Sequence, residues 1–217
     1  MKNKNKIVSI ILLIIYFIFG VMAFPNKETV NNFNTLYYIV SAIFTLTFIL
    51  FFTKDELKKE FKKFNKNIKK NLLFCFAIFI SMFFIVTLSN FLIDKLFGWS
   101  NVNTDTLIFP NIKPMLLYTI FVLLIYTPFT EGIIFTKVLK NIIKNKILWI
   151  LISGILFGIL QTGFDIFSFS SLIFSLPYIF IGILVSFIYE EKKNVFYPIF
   201  IWFFYYLFQF FVQYMAL

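Results

Sequence analysis

Seven stretches of about 18 to 22 almost uncharged, apolar residues dominate this chain, at approximately 7–24, 35–53, 72–93, 115–136, 147–164, 172–189 and 196–216. A bilayer hydrocarbon core of about 30 Å is crossed by roughly 20 apolar residues in helical form. The runs are too long and too uniformly apolar for the alternating strands of a membrane barrel. Over the 217 residues, 60% are hydrophobic and only 14% charged, where a soluble domain carries about a quarter charged residues. No soluble core could hide that much apolar surface. The expectation is an all-α, polytopic membrane helix bundle of about seven transmembrane helices, forming a single membrane domain over 1–217.

The gaps between the runs give an orientation. All 20 basic residues are Lys, and there is no His. In a seven-helix arrangement, lysines 2, 4, 6, 54, 58, 59, 62, 63, 66, 69, 70, 137, 140, 144, 146, 192 and 193 fall on one side, and only Lys27, Lys95 and Lys113 on the other. The positive-inside rule then places the N-terminus in the cytoplasm and the C-terminus outside. The net charge of +10 is thereby a feature of topology, and no nucleic-acid partner is expected. The heavy use of Phe, Ile, Asn and Lys fits an AT-rich bacterial genome and a plasma-membrane location. The first run follows Lys2, Lys4 and Lys6 and carries a weak cleavage pattern at Val21 and Ala23. It exceeds the signal-peptide core of about 7–15 residues, so an uncleaved signal anchor is expected.

One gap has a pattern of its own. Across 54–71, Leu57, Phe61, Phe64 and Ile68 recur at helical spacing, with eight lysines against three carboxylates. This predicts a basic amphipathic helix lying on anionic headgroups of the cytoplasmic leaflet, touched by Lys58, Lys59, Lys62, Lys63, Lys66, Lys69 and Lys70. The plainer reading is a solvated stop signal.

An ionisable side chain inside a bilayer helix is costly and marks a functional position by default. Glu131, between Pro128 and Gly132, is the clearest. Pro128 frees a backbone carbonyl, and Gly132 permits close approach of another helix. In the fifth run, Gly154, Gly158, Gln161 and Asp165 share a face. The Gly154–Gly158 pair is a helix-packing motif, and Gln161 lies on that packed side. The last run carries Trp202, Tyr205, Tyr206, Gln209 and Gln213. Trp202 and Tyr206 stand deeper than an interfacial belt, which predicts packing inside the bundle. The sequence predicts Glu131 beside Gly158 and Gln161, hydrogen-bonded to Gln161 in a small cytoplasm-facing cavity.

These residues give the region 115–215 a resemblance to the CAAX-protease and bacteriocin-processing (CPBP, or Abi) family of intramembrane proteases. The first family motif, Glu-Glu-x-x-Phe-Arg, is matched by Glu131-Gly132-Ile133-Ile134-Phe135-Thr136, with Gly132 for the second Glu and Thr136 for the Arg. The second, Phe-Gly-x-x-His, is matched by Phe157-Gly158-Ile159-Leu160-Gln161, with Gln for His. In the third region Gly182 precedes a polar turn and Pro198, after which Trp202 takes the His position and Tyr206 the Asn position. The resemblance implies that Glu131 stands where the family activates water, and that Gln161, Trp202 and Tyr206 stand where it supports an oxyanion. Gly132, Gly154, Gly158, Gly182 and Pro198 shape the packing.

Amide hydrolysis needs a base and positioned donors. Gln161 can donate a hydrogen bond but cannot shuttle a proton, and Trp202 donates only through its indole N–H. The leading expectation is therefore a pseudoprotease that acts by binding, as an immunity or resistance factor or as a scaffold for a membrane protein or peptide partner. The alternative is an active glutamate-dependent intramembrane endopeptidase of the CPBP type. A small transporter or transporter subunit is a third class, opposed by the scarcity of intramembrane charge. No cofactor is expected. Without His, and with Glu131, Cys75 and Asp165 far apart in the chain, no metal site is expected either. A serine triad lacks its base, and no phosphate-binding glycine loop occurs.

Overall fold

The computed structural model of the chain describes residues 2–21, 32–98, 116–161 and 168–215. Lys27, Trp99, Pro110, Lys113 and Asp165 lie outside the described residues, as does the side chain of Gln213. Among the described residues every regular element is helical. The first, α1, runs Lys2–Ile15 and continues through a π-helical turn, Tyr16–Gly20. It is followed by α2 (Asn32–Asn65) and α3 (Ile68–Phe97). Next come α4 (Leu116–Ile142), α5 (Lys146–Gln161), α6 (Phe169–Lys192) and α7 (Phe196–Met215). The chain is an all-α membrane bundle.

Burial divides the helices into a centre and a rim. In the most apolar stretch of α4, 67% of residues are buried, and in α6 56%, against 28% for α2 and 17% for α3. Glu131 therefore sits on the most buried of these four helices. Between α5 and α6 the backbones meet. A Cβ on Gly154 would stand 2.7 Å from Ile179 O, one on Gly158 3.0 Å from Ser175 O, and one on Gly182 2.9 Å from the Cα of Gly154. In lipid there is no hydrophobic drive between helices, so such close van der Waals packing supplies the association.

Ion pairs gather at one end of the bundle. Lys137 Nζ lies 2.6 Å from Glu56 and 2.6 Å from Glu60. Lys140 lies 2.6 Å from Glu190, Lys146 3.1 Å from Glu191, and Lys193 also pairs with Glu190. Asn141 Nδ2 donates to Ser9 Oγ at 3.3 Å, which draws the start of α1 to the same end. The three lysine-bearing loops after α2, α4 and α6 thus share one side, as an odd–even helix count requires.

The segment 54–71 departs from expectation. It is not a helix of its own. Residues 54–65 continue α2 without a break, and α3 begins at Ile68 after a two-residue turn. Half of the apolar stripe is turned onto the protein, while Phe61 and Ile68 stay exposed. Leu57 and Phe64 are buried, and the Phe64 ring lies 5.0 Å from Tyr197 and 5.1 Å from Phe200. The backbone explains the preference. Glu60 Oε2 accepts from the Val195 N–H at 2.6 Å and Glu60 O from Asn194 Nδ2 at 2.8 Å, which satisfies groups at the α6–α7 turn that headgroups would leave competing with water. Lys58, Lys59, Lys62, Lys63, Lys66, Lys69 and Lys70 stay exposed on the outer side.

Candidate functional site

Glu131 sits on the short α-helical piece Thr127–Gly132 of α4, held between two π-helical segments, Val122–Tyr126 and Ile133–Val138. Pro128, at the start of this piece, cannot donate a backbone N–H, and π segments of this kind recur at functional sites. The freed polar groups find local partners. Thr130 Oγ1 donates to Tyr126 O at 2.8 Å, and Thr136 Oγ1 donates to Gly132 O. Ser153 Oγ donates to Phe135 O, and Ser186 Oγ donates to Ser153 Oγ at 2.7 Å. These two serines therefore satisfy backbone; with no base beside them they are not nucleophiles.

Glu131 is 1% exposed. Tyr206 Oη donates to Glu131 Oε2 at 2.7 Å, and Gln161 Nε2 donates to Tyr206 Oη at 3.2 Å. The expected direct pair of Glu131 and Gln161 is replaced by this three-member chain, because the Tyr206 hydroxyl lies between them. The expected cytoplasm-facing cavity is replaced by enclosure. Lys137, at the charged end, is six residues on, about 9 Å along α4. Tyr206 is ten residues into α7, about 15 Å from its start. The chain Gln161–Tyr206–Glu131 therefore lies well inside the bundle, below the charged end.

Trp202 lies one turn before Tyr206 and is 1% exposed. Its ring stacks on Phe157 at 4.4 Å with an interplanar angle of 28°, and its centroid is 6.2 Å from that of Tyr206. Its Nε1 is buried without a hydrogen-bond partner. Phe157 in turn meets Phe135 edge-on at 5.7 Å. The matched positions of the first two motifs and the third thus touch through aromatic rings. Pro198 is buried in the first turn of α7, where a missing N–H costs least.

At Gly132 the neighbouring helix occupies the side-chain space. A Cβ there would stand 3.2 Å from both the Cα and the N of Ile199, and 2.9 Å from its Cγ1. The position of the family's second carboxylate is therefore filled by α7 backbone. Among the described residues no group of three His, Cys, Asp or Glu side chains could hold a metal ion.

Three further hydroxyls, of Tyr16, Tyr126 and Tyr205, lie within electrostatic reach of Glu131. Tyr126 Oη also donates to Gly20 O at 2.9 Å, joining α4 to the π turn of α1. Sequence reasoning passed over Tyr16 and Tyr126. Tyr126 is five residues before Glu131, a spacing that shares a face only in π-helical geometry, and Tyr16 carries no local signal at all. Chemically the arrangement is one carboxylate among phenols, accepting a hydrogen bond from Tyr206.

Comparison with known proteins places a family on this geometry. Residues 113–208 match the model of the Type II CAAX prenyl endopeptidase Rce1-like family. The match spans α4 to α6 and α7 as far as residue 208, and it includes Glu131, Gln161, Trp202 and Tyr206. No curated protein and no solved structure matches the chain. On the family match and the motif order together, residues 113–208 are similar to the CAAX-protease and bacteriocin-processing family.

Proposed function

We propose that this chain is a non-proteolytic member of its family, which binds a membrane protein or peptide and serves as an immunity or resistance factor or as a scaffold. The observation that carries this reading is at Gly132. The space of a second carboxylate is taken by Ile199 backbone, so no second acid can work beside Glu131. The other changes act in the same direction. Thr136 is committed to a backbone carbonyl, Trp202 is stacked on Phe157, and Gln161 cannot take up a proton. Catalytic groups that cooperate are lost as a unit.

We place the protein in a bacterial plasma membrane, with the N-terminus and the lysine-rich end cytoplasmic. The outward lysines of 58–70 then face the anionic leaflet. Among the described residues Glu56 and Glu60 turn inward to Lys137, which leaves that outer face more positive than the sequence count. A second reading, a glutamate-dependent endopeptidase, is favoured by the Gln161–Tyr206–Glu131 chain, which supplies a carboxylate and two donors.

The test is Glu131→Gln in the native host. The amide keeps an acceptor for Tyr206 but cannot act as a base, so the phenotype is expected to survive. Loss of the phenotype at normal expression, together with loss of a cleaved membrane peptide, would establish the enzyme.

A further inference from the structure

Outside the Glu131 region the strongest unassigned feature is on α2. A shallow groove of about 570 Å³ runs along its outer face, lined by Val40, Ile43, Phe44, Thr47, Phe48 and Phe51. We infer that this groove, followed along the same helix by Lys54 and Lys58, is a binding site for one acyl chain of an anionic phospholipid, with the headgroup phosphate held by the two ammonium groups.

The spacing sets the geometry. Positions 40, 44, 47, 51, 54 and 58 follow each other by three or four residues, so groove and lysines share one helix face. From Val40 to Phe51 the helix rises about 16 Å. The floor is aromatic, with Phe44 and Phe48 5.8 Å apart and Phe48 and Phe52 4.9 Å apart. Lys54 Nζ stands 5.7 Å over the Phe51 ring, at the groove's end.

Charge selects the occupant. Lys54 and Lys58 are exposed, and among the described residues neither is in an ion pair. Asp55 is the nearby exposed carboxylate, a step round the helix, while Glu56 and Glu60 are drawn to Lys137. A protein helix would cover the groove without needing the lysines, and a soluble polyanion would engage the lysines without the groove. A lipid with a negative headgroup uses both. Two lysines near an anionic membrane surface give a preference on the order of thirtyfold over a zwitterionic lipid with the same chains.

Native mass spectrometry of the detergent-purified full chain tests this with equimolar phosphatidylglycerol and phosphatidylcholine of identical acyl chains. The wild type is expected to retain phosphatidylglycerol about thirtyfold better. K54Q/K58Q is expected to abolish that preference. K95Q, which removes a lysine 5.8 Å over Phe91 on α3, is expected to keep it. Thr47→Trp, which fills the groove, lowers retention while far-UV circular dichroism stays unchanged. Glycerol 3-phosphate alone does not compete. Equal retention of the two lipids by the wild type, a preference that survives K54Q/K58Q, or full competition by glycerol 3-phosphate would each overturn the assignment.

Discussion

Where a side chain would begin at Gly132, the backbone of α7 already stands, 3.2 Å from the ideal Cβ position. Even a methyl group must push Ile199 aside, and overpacking a close-packed interior typically costs about 1–3 kcal/mol. Gly132→Ala is therefore expected to destabilise the protein by that amount, read as a lower melting temperature in detergent. An unchanged melting temperature would mean that α7 can step back and that the carboxylate space is not closed. The contact was half legible beforehand. Gly132 and Pro128 mark a close approach and a freed carbonyl in any apolar helix, but sequence gives no register between α4 and α7. For the same reason the direct pairing of Glu131 with Gln161 was the natural expectation. Tyr206 belongs to a helix whose rotation is fixed only by packing, so the phenol between them was invisible.

At the scale of elements, α2 shows how a tertiary contact redirects an amphipathic pattern. Leu57, Phe61 and Phe64 have the period of a helix that needs one apolar partner, and the period was correctly read as helical. What covers the stripe was not encoded in it. The deciding groups are Glu60, Val195 and Asn194, whose hydrogen bonds close the end of the bundle. Lys137 ties α4 to α2, with its side chain 9% exposed and that of Glu60 15%. Breaking a buried pair by removing one partner costs about 3–5 kcal/mol, and the remaining Glu60–Val195 bond places this case near the lower figure. Lys137→Met should lower the melting temperature clearly, and Lys137→Met with Glu60→Gln should recover part of the loss in a double-mutant cycle. Additive effects of the two substitutions would show that the pair does not hold α2 in place.

For the whole molecule, seven apolar runs and their lysine asymmetry carried the architecture, because bilayer thickness and backbone hydrogen bonding leave an isolated apolar run few alternatives to a helix. The run lengths carried less. At 34 and 30 residues, α2 and α3 are each longer than a perpendicular crossing requires, since helix continues past the last apolar residue wherever tertiary contacts support it. Sidedness rests on the distribution of lysines. The loops after α2, α4 and α6 meet at one end through the pairs of Lys137, Lys140, Lys146 and Lys193 with glutamates, whereas Lys95 lies at the far end of α3. With the lysine-rich end in the cytoplasm, a membrane-impermeant amine reagent applied to intact cells should modify Lys95, together with Lys27 and Lys113, and spare the lysines of 54–71. The contrast should be large, because Lys58, Lys59, Lys62, Lys63, Lys66, Lys69 and Lys70 are exposed and would react readily if they faced outward. Permeabilised cells supply the control, in which these same lysines become the most heavily labelled. Strong labelling of 54–71 in intact cells would invert the molecule, moving both the proposed lipid site and the charged end to the outer leaflet.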